Sequence, residues 1–349
     1  MEKVKASRLY ESSHEFKPAV QRKVGVLIFC GALLAMFLIN VAPEQYNNFL
    51  ESKTIFGGLS WAKFIDKGIM SIFFFAAGME IRHEFFHGHL KDKNLRKLPL
   101  YCAVGGVVIP LILMALIGGI SSLFSIEGSG RVFSGLPIPV ATDIVFALAF
   151  LSFFSTRIPK SLRAFVLAFA VIDDLIGLVM LFVLQGSISP TAIAVIVGFC
   201  IPSSIGTYQI RSHFLAKLLI VNSFLVLPIF ALANGGVSFK GVSAGEIASQ
   251  PLFWAIIFSQ CIGKIIGIYA VALFALKSPK LSIPRGCTKQ HMLVASSVAA
   301  IGFTLSLYLA KAAFPENNEA LLVAKLAVVV ATIVAMVYGV FVTRKLPAK

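Results

Sequence analysis

Apolar residues run along the chain in ten blocks, at 24–42, 63–82, 98–124, 133–154, 161–185, 190–204, 214–238, 251–277, 290–313 and 320–343. Short polar segments separate them. Most blocks approach the roughly 20 residues that an α-helix needs to cross a hydrocarbon core. The block at 190–204 is short, and is expected to be tilted or half-spanning. The pattern predicts an all-α polytopic membrane protein of about ten transmembrane helices. The longest stretches outside the blocks, 1–23 and 43–62, are too short for a soluble domain. One transmembrane domain over 24–343 is therefore expected, with cytoplasmic tails at 1–23 and 344–349.

Composition agrees. Of 349 residues, 58% are hydrophobic and 13% charged, where a soluble domain carries about 25% charged residues. Thirty-one phenylalanines suit lipid-facing helix surfaces. The net charge of +15 could point to nucleic acid, but its distribution argues otherwise. With the N-terminus inside, 23 of the 31 Lys and Arg fall in segments on one side of the membrane, the positive-inside pattern. That count places both termini in the cytoplasm. The basic clusters lack interleaved aromatics, so no nucleic-acid partner is expected. Trp61 and Trp254 fall where helices leave the outer face, as interfacial anchors do. The polar start has no small-residue cleavage site, so it is not a signal peptide. Cys30, Cys102, Cys200, Cys261 and Cys287 are scattered, without metal-ligand spacing. His83, His87 and His89 read as a solvated basic loop rather than a metal site.

The informative residues are charges inside the apolar blocks. A mid-bilayer charge costs at least about 2.5–3.5 kcal/mol on insertion, so such groups pair, line a water cavity or work. Asp143 sits in LPIPVATDIVFALAF, where Pro137 and Pro139 predict a broken or kinked helix just outside it. A broken helix is tolerated in lipid only where protein or a cavity surrounds it. Free backbone groups and the Thr142 hydroxyl could then help ligate an ion; the alternative is a kink with a structurally paired aspartate. Asp173 and Asp174 sit in AFVLAFAVIDDLIGLVMLFV. Adjacent helical residues point about 100° apart, so one carboxylate can face an ion path while the other meets a neighbouring helix. Two close carboxylates resist double ionisation and can take a proton or a small hard cation near neutral pH. Lys264, in FSQCIGKIIGIYAVALF, needs an acidic partner, and Asp173 or Asp143 is the natural one. Gly302 and Thr304, in VAAIGFTLSLYLAK, mark a second interrupted helix. Two interruptions in corresponding places point to a midplane site in an inverted-repeat transporter, with blocks 3–5 and 8–10 as the repeats.

Several segments resemble the NhaA-type sodium/proton antiporters. They are FFFAAGMEIRHE at 73–84, IPVATDIVFALAF at 138–150, AFAVIDDLIGL at 168–178, AVIVGFCIP at 194–202, LVLPIFALANGGV at 225–237, GKIIGIY at 263–269 and IGFTLSLYLA at 301–310. They follow the family's order and cover most of the chain. The resemblance implies an inverted-repeat core with two interrupted, crossing helices, a feature already associated with that family. It implies that Asp174 is the main cation-binding carboxylate, Asp173 its neighbour in the cation and proton site, and Lys264 the partner of Asp173. Asp143 and Thr142 match the acid and threonine at the helix crossing, and Gly302 falls in the other unwound segment. Glu80 and Glu84 match acids at the cytoplasmic end of the second span, a candidate funnel, though charge is also ordinary at wet helix ends. About twenty residues separate VIDDL from AVIVGF, where the family has two further helices, so this is a shortened member. The family's pH-sensing histidine and glutamate are replaced, near Ser189 and Leu215.

The resemblance implies electrogenic exchange of Na⁺ or Li⁺ for H⁺ by alternating access, in a bacterial inner membrane, without a cofactor and without enzyme activity. A homodimer is a further implication, although 43–62 is short for the β-hairpin that pairs subunits in the family. The alternative is a transport-inactive relative with an ion-sensing or assembly role, motivated by the missing helix pair. An intramembrane aspartyl protease is disfavoured, because Lys264 would neutralise a dyad that needs a shared proton.

Overall fold

In a computed structural model of the chain, residues 18–53, 58–86, 90, 96–185, 190–200, 208–239, 243–278 and 281–347 are described. The tail at 1–17, His87, His89 and Ser189 lie outside them. The described chain is all-α; one isolated antiparallel bridge, Lys53 with Ser60, is its only extended pairing. Each apolar block falls largely on helical backbone where described, with breaks inside 133–154 and 290–313. By length and composition five helices suffice to cross a membrane: Pro18–Val41, Lys97–Leu123, Phe214–Asn234, Pro251–Ala275 and Asn318–Arg344. The pair Lys289–Ala299 and Thr304–Ala313, bent by 45°, makes a sixth.

The chain divides into two compact units, Met1–Phe86 with Gln185–Lys240, and His87–Leu184 with Gly241–Lys349. In the first unit, Pro190–Cys200 packs on Met70–Phe86, and Leu227–Asn234 packs on Pro18–Val41. Helix Leu227–Asn234 ends at an Asn-Gly-Gly turn, and its last carbonyls need donors. The Tyr46 hydroxyl supplies one, donating to the Leu232 carbonyl at 2.7 Å, and Asn40 donates to the Val237 carbonyl at 2.8 Å. Burial pushes the Tyr46 phenol up to about 12, so it remains a donor across the physiological range. Asn234, wholly buried, donates to Asp66 at 3.1 Å.

The second unit holds both expected repeats. Each consists of a long helix, an interrupted helix and another long helix: Lys97–Leu123, then 129–153, then Lys160–Gln185; and Pro251–Ala275, then 289–313, then Asn318–Arg344. The leading helices of the two repeats pack against each other through glycine. A Cβ on Gly105 would fall 2.6 Å from the Gly267 carbonyl oxygen, so only glycine permits this backbone approach. A Cβ on Gly263 would likewise meet the Pro110 backbone at 3.0 Å.

The first interruption has a local cause. Pro137 and Pro139 cannot donate backbone hydrogen bonds, so only a 3-10 turn forms over Ile138–Val140. Residues 141–143 are then extended, and helix Ile144–Phe153 starts afresh with Asp143 as its N-cap. The Asp143 side chain accepts from the Phe146 N–H at 3.1 Å, as a good N-cap does. In the second interruption, helix Lys289–Ala299 ends, 301–303 lack helical bonding, and Thr304–Ala313 resumes.

Candidate ion-binding site

The two interruptions lie against each other. The Asp143 N–H donates to the Ile301 carbonyl at 2.8 Å, and the Thr142 hydroxyl donates to the Ala299 carbonyl at 2.8 Å. The Ser306 hydroxyl donates to the Ile138 carbonyl at 3.0 Å. A Cβ on Gly302 would collide with the Ala141 carbonyl oxygen, so the crossing needs glycine at that position. Phe146 and Phe303 meet edge to face beside it, with ring centroids 5.6 Å apart.

Asp143 serves both new helix starts. Besides the Phe146 N–H, its carboxylate accepts from the Thr304 N–H at 3.1 Å and the Thr304 hydroxyl at 2.5 Å. Helix N-termini carry partial positive charge, so one carboxylate between two of them is well placed. The carbonyl ends of the broken helices have the opposite need. Lys264 meets one of them, donating to the Val140 carbonyl.

Lys264 is also the partner of Asp173. Its ammonium stands 2.9 Å from Asp173 Oδ2, and both side chains are 0% exposed. Of the two partners open from sequence, Asp173 is the one it takes, while Asp143 spends its oxygens on the helix starts. Thr142 also lies beside the Asp173 carboxylate, and Asp174 interacts electrostatically with Lys264. Asp173 and Asp174 are carried, both buried, on the unbroken helix Lys160–Gln185. Among the described residues nothing donates a hydrogen bond to Asp173 Oδ1, so that oxygen keeps its lone pairs.

Six sequence-predicted residues therefore gather in one unit: Thr142, Asp143, Asp173, Asp174, Lys264 and Gly302. Glu80 and Glu84 belong to the other unit, one turn apart on Met70–Phe86, with Glu84 buried and Glu80 half-buried. Among the described residues no three His, Cys, Asp or Glu side chains gather to hold a metal ion. None of the five cysteines is joined in a disulfide.

Sequence reasoning missed two contributors. Thr304 was visible only as a helix-breaking signal, yet it satisfies Asp143. Gln260 was not singled out at all. It is wholly buried and donates to the Ala300 carbonyl at 3.1 Å and the Gly302 carbonyl at 3.4 Å. The available signal was a glutamine in the apolar run FSQCIGK, one turn before the buried lysine.

A helical membrane protein with carboxylates and a lysine sealed at the crossing of two interrupted helices is a polytopic protein built around intramembrane charge. The model of the family described as Na+/H+ antiporter 1 matches residues 18–182 and 177–343, and the chain belongs to that family. Similar relatives agree. The Na(+)/H(+) antiporter NhaA of Tolumonas auensis is 32% identical over 375 aligned positions, covering 92% of each chain. That of Aliivibrio fischeri is 31% identical, covering 90% of this chain and 93% of its own. Na(+)/H(+) antiporter NhaA 1 of Clostridium beijerinckii is 30% identical, covering 90% of each. The 375 positions aligned with the Tolumonas protein exceed the 349 residues of this chain, so that relative carries residues missing here. The two family-matched stretches meet at 177–182, just after Asp173 and Asp174, where the sequence pointed to a lost helix pair.

Proposed function

We propose that this protein exchanges Na⁺ or Li⁺ for H⁺ across a bacterial inner membrane, electrogenically and by alternating access. The observation that carries the reading is the buried Asp173–Lys264 pair with Asp174 beside it, at the helix crossing. Sealed charges of this kind are expensive in lipid and persist where they work. The names of the relatives, sodium/proton antiporters across most of their length, support the same activity.

In this reading, deprotonated Asp174 and Asp173 bind the cation, with the Thr142 hydroxyl as a neutral neighbour. A small hard cation prefers such oxygens. Binding draws Asp173 away from Lys264, and protonation of the carboxylates on the other side displaces the ion. Asp143 accepts from both helix starts and holds the crossing together. Two aspartates accept more protons than the single cation carries charge, so each cycle moves net charge. Glu80 and Glu84 form a cytoplasmic funnel that gathers cations. One transmembrane domain over 24–343 has both termini in the cytoplasm, and the protein assembles as a homodimer in lipid.

The test is fluorescence quenching by a pH gradient in everted vesicles, with wild type beside Asp174→Ala. Added Na⁺ or Li⁺ should dissipate the gradient for wild type and leave it intact for the variant. Failure of wild type to respond at any pH between about 6.5 and 9, with the protein present in the membrane, would overturn the reading.

A further inference from the structure

Helix Pro251–Ala275 carries two long polar side chains into the crossing. Lys264 is one, and Gln260, four residues earlier, is the other. Gln260 lies in a π segment over Ser259–Gly263, where the helix widens, and Lys264 follows directly after it. Such segments carry i→i+5 bonds and recur at functional sites. The two side chains reach different breaks. Lys264 donates to the Val140 carbonyl, where the first interrupted helix stops. Gln260 donates to the Ala300 and Gly302 carbonyls, in the second. Those carbonyls have left helical bonding and lie in protein interior, where an unmatched polar group is costly.

We infer that Gln260 is a positioning residue for the ion site, fixing the second unwound segment as Lys264 fixes the first. Three observations converge on it. The Gln260 side chain is 0% exposed, so it has no access to water. Among the described residues nothing donates to its Oε1, and its polar contacts go through the donating amide. A Cβ on Gly302 would lie 3.1 Å from its Nε2, so the amide seats directly on the glycine that permits the crossing. The 299–304 segment is thus tied down by Gln260 together with Thr142 and Asp143. Neutrality is part of the role. A second ammonium here would repel the carried cation, whereas an amide satisfies both carbonyls without adding charge.

The inference rests on the reading of Asp173 and Asp174 as the cation site, and its test separates the two. Wild type, Gln260→Met and Gln260→Glu are compared in vesicles for apparent KM toward Na⁺ and Li⁺ between about pH 6.5 and 9. Methionine keeps the length and removes the donor. It should raise the apparent KM about tenfold, the scale of a buried carbonyl left unmatched. Glutamate keeps the length and donates only when protonated. It should rescue the KM at the acid end and drift toward the methionine variant as pH rises. Alongside, hydrogen–deuterium exchange in detergent reads peptides covering 300–304, a measurement that needs no transport. Exchange there should quicken about tenfold in Gln260→Met and remain near wild type in Gln260→Glu at acid pH. If wild type does not transport, the functional reading falls while the exchange arm still decides the positioning role. Unchanged KM and exchange in Gln260→Met, or two variants that behave alike at every pH, would overturn it.

Discussion

Lys264 shows the physics of this site at its sharpest, because its ammonium is fully buried and, among the described residues, donates to Asp173 and the Val140 carbonyl. Removing one member of a buried ion pair leaves a lone charge and costs about 3–5 kcal/mol. Asp173→Ala should therefore lower the melting temperature in detergent sharply. Asp173→Asn combined with Lys264→Met should recover most of the loss, because neither buried charge remains. A single variant that melts like wild type would show that the pair carries no stability. Asp143 makes a different case, since three donors converge on it. Asp143→Ala leaves them unmatched, at about 1–3 kcal/mol each as an upper scale. Asp143→Asn keeps an acceptor oxygen and should fall between, in the same melting assay.

At the scale of elements, the long helices can close around the site because small residues let them. Gly267→Val would drive a branched side chain into the Gly105 backbone and pry the two leading helices apart. Overpacking of this kind costs about 1–3 kcal/mol or more. Thermal melting should register it, with Gly119→Ala as a control, since a Cβ there meets nothing within 4 Å. The helix that ends in the second interruption begins with a capping box, Thr288 accepting from the His291 N–H and His291 accepting from the Thr288 N–H. Thr288→Ala should cost about 1 kcal/mol, the usual worth of an N-cap. Its effect should be confined to stability, because the cap lies a whole helix away from the break.

For the whole molecule, the exposed ion pair responds to pH only at the acid end. Arg131 and Glu319 pair at 2.9 Å just outside the apolar blocks at 133–154 and 320–343, and the hydrogen bond from Arg131 holds the exposed Glu319 carboxyl below its usual 4.5. A lowered carboxyl contributes stability above its unfolded value and loses it as pH falls through the folded one. Between about pH 6.5 and 9 this exposed pair is constant. Activity that varies over that window therefore does not report this pair. Electrogenic exchange has a further signature. Clamping the membrane potential with K⁺ and valinomycin should change the exchange rate, to which an electroneutral exchanger is indifferent.

Much of this was legible in the residues themselves. Blocks of spanning length dictated helices, since no other open backbone survives in hydrocarbon. Pro137, Pro139 and Gly302 announced both interruptions, because a missing donor and a missing side chain act locally. The price of a buried charge singled out Asp143, Asp173, Asp174 and Lys264 before any contact was known. What the chain could not state were pairings between distant residues. Whether Lys264 would meet Asp173 or Asp143 depends on how two helices rotate against each other, and tertiary packing settled it for Asp173. The role of Gln260 was hidden for the same reason. A glutamine in an apolar run has no charge to betray it, and its role exists only where the Ala300 and Gly302 carbonyls come within reach. Local chemistry fixed which groups are costly to bury, and only the packed helices decided which partner answers each cost.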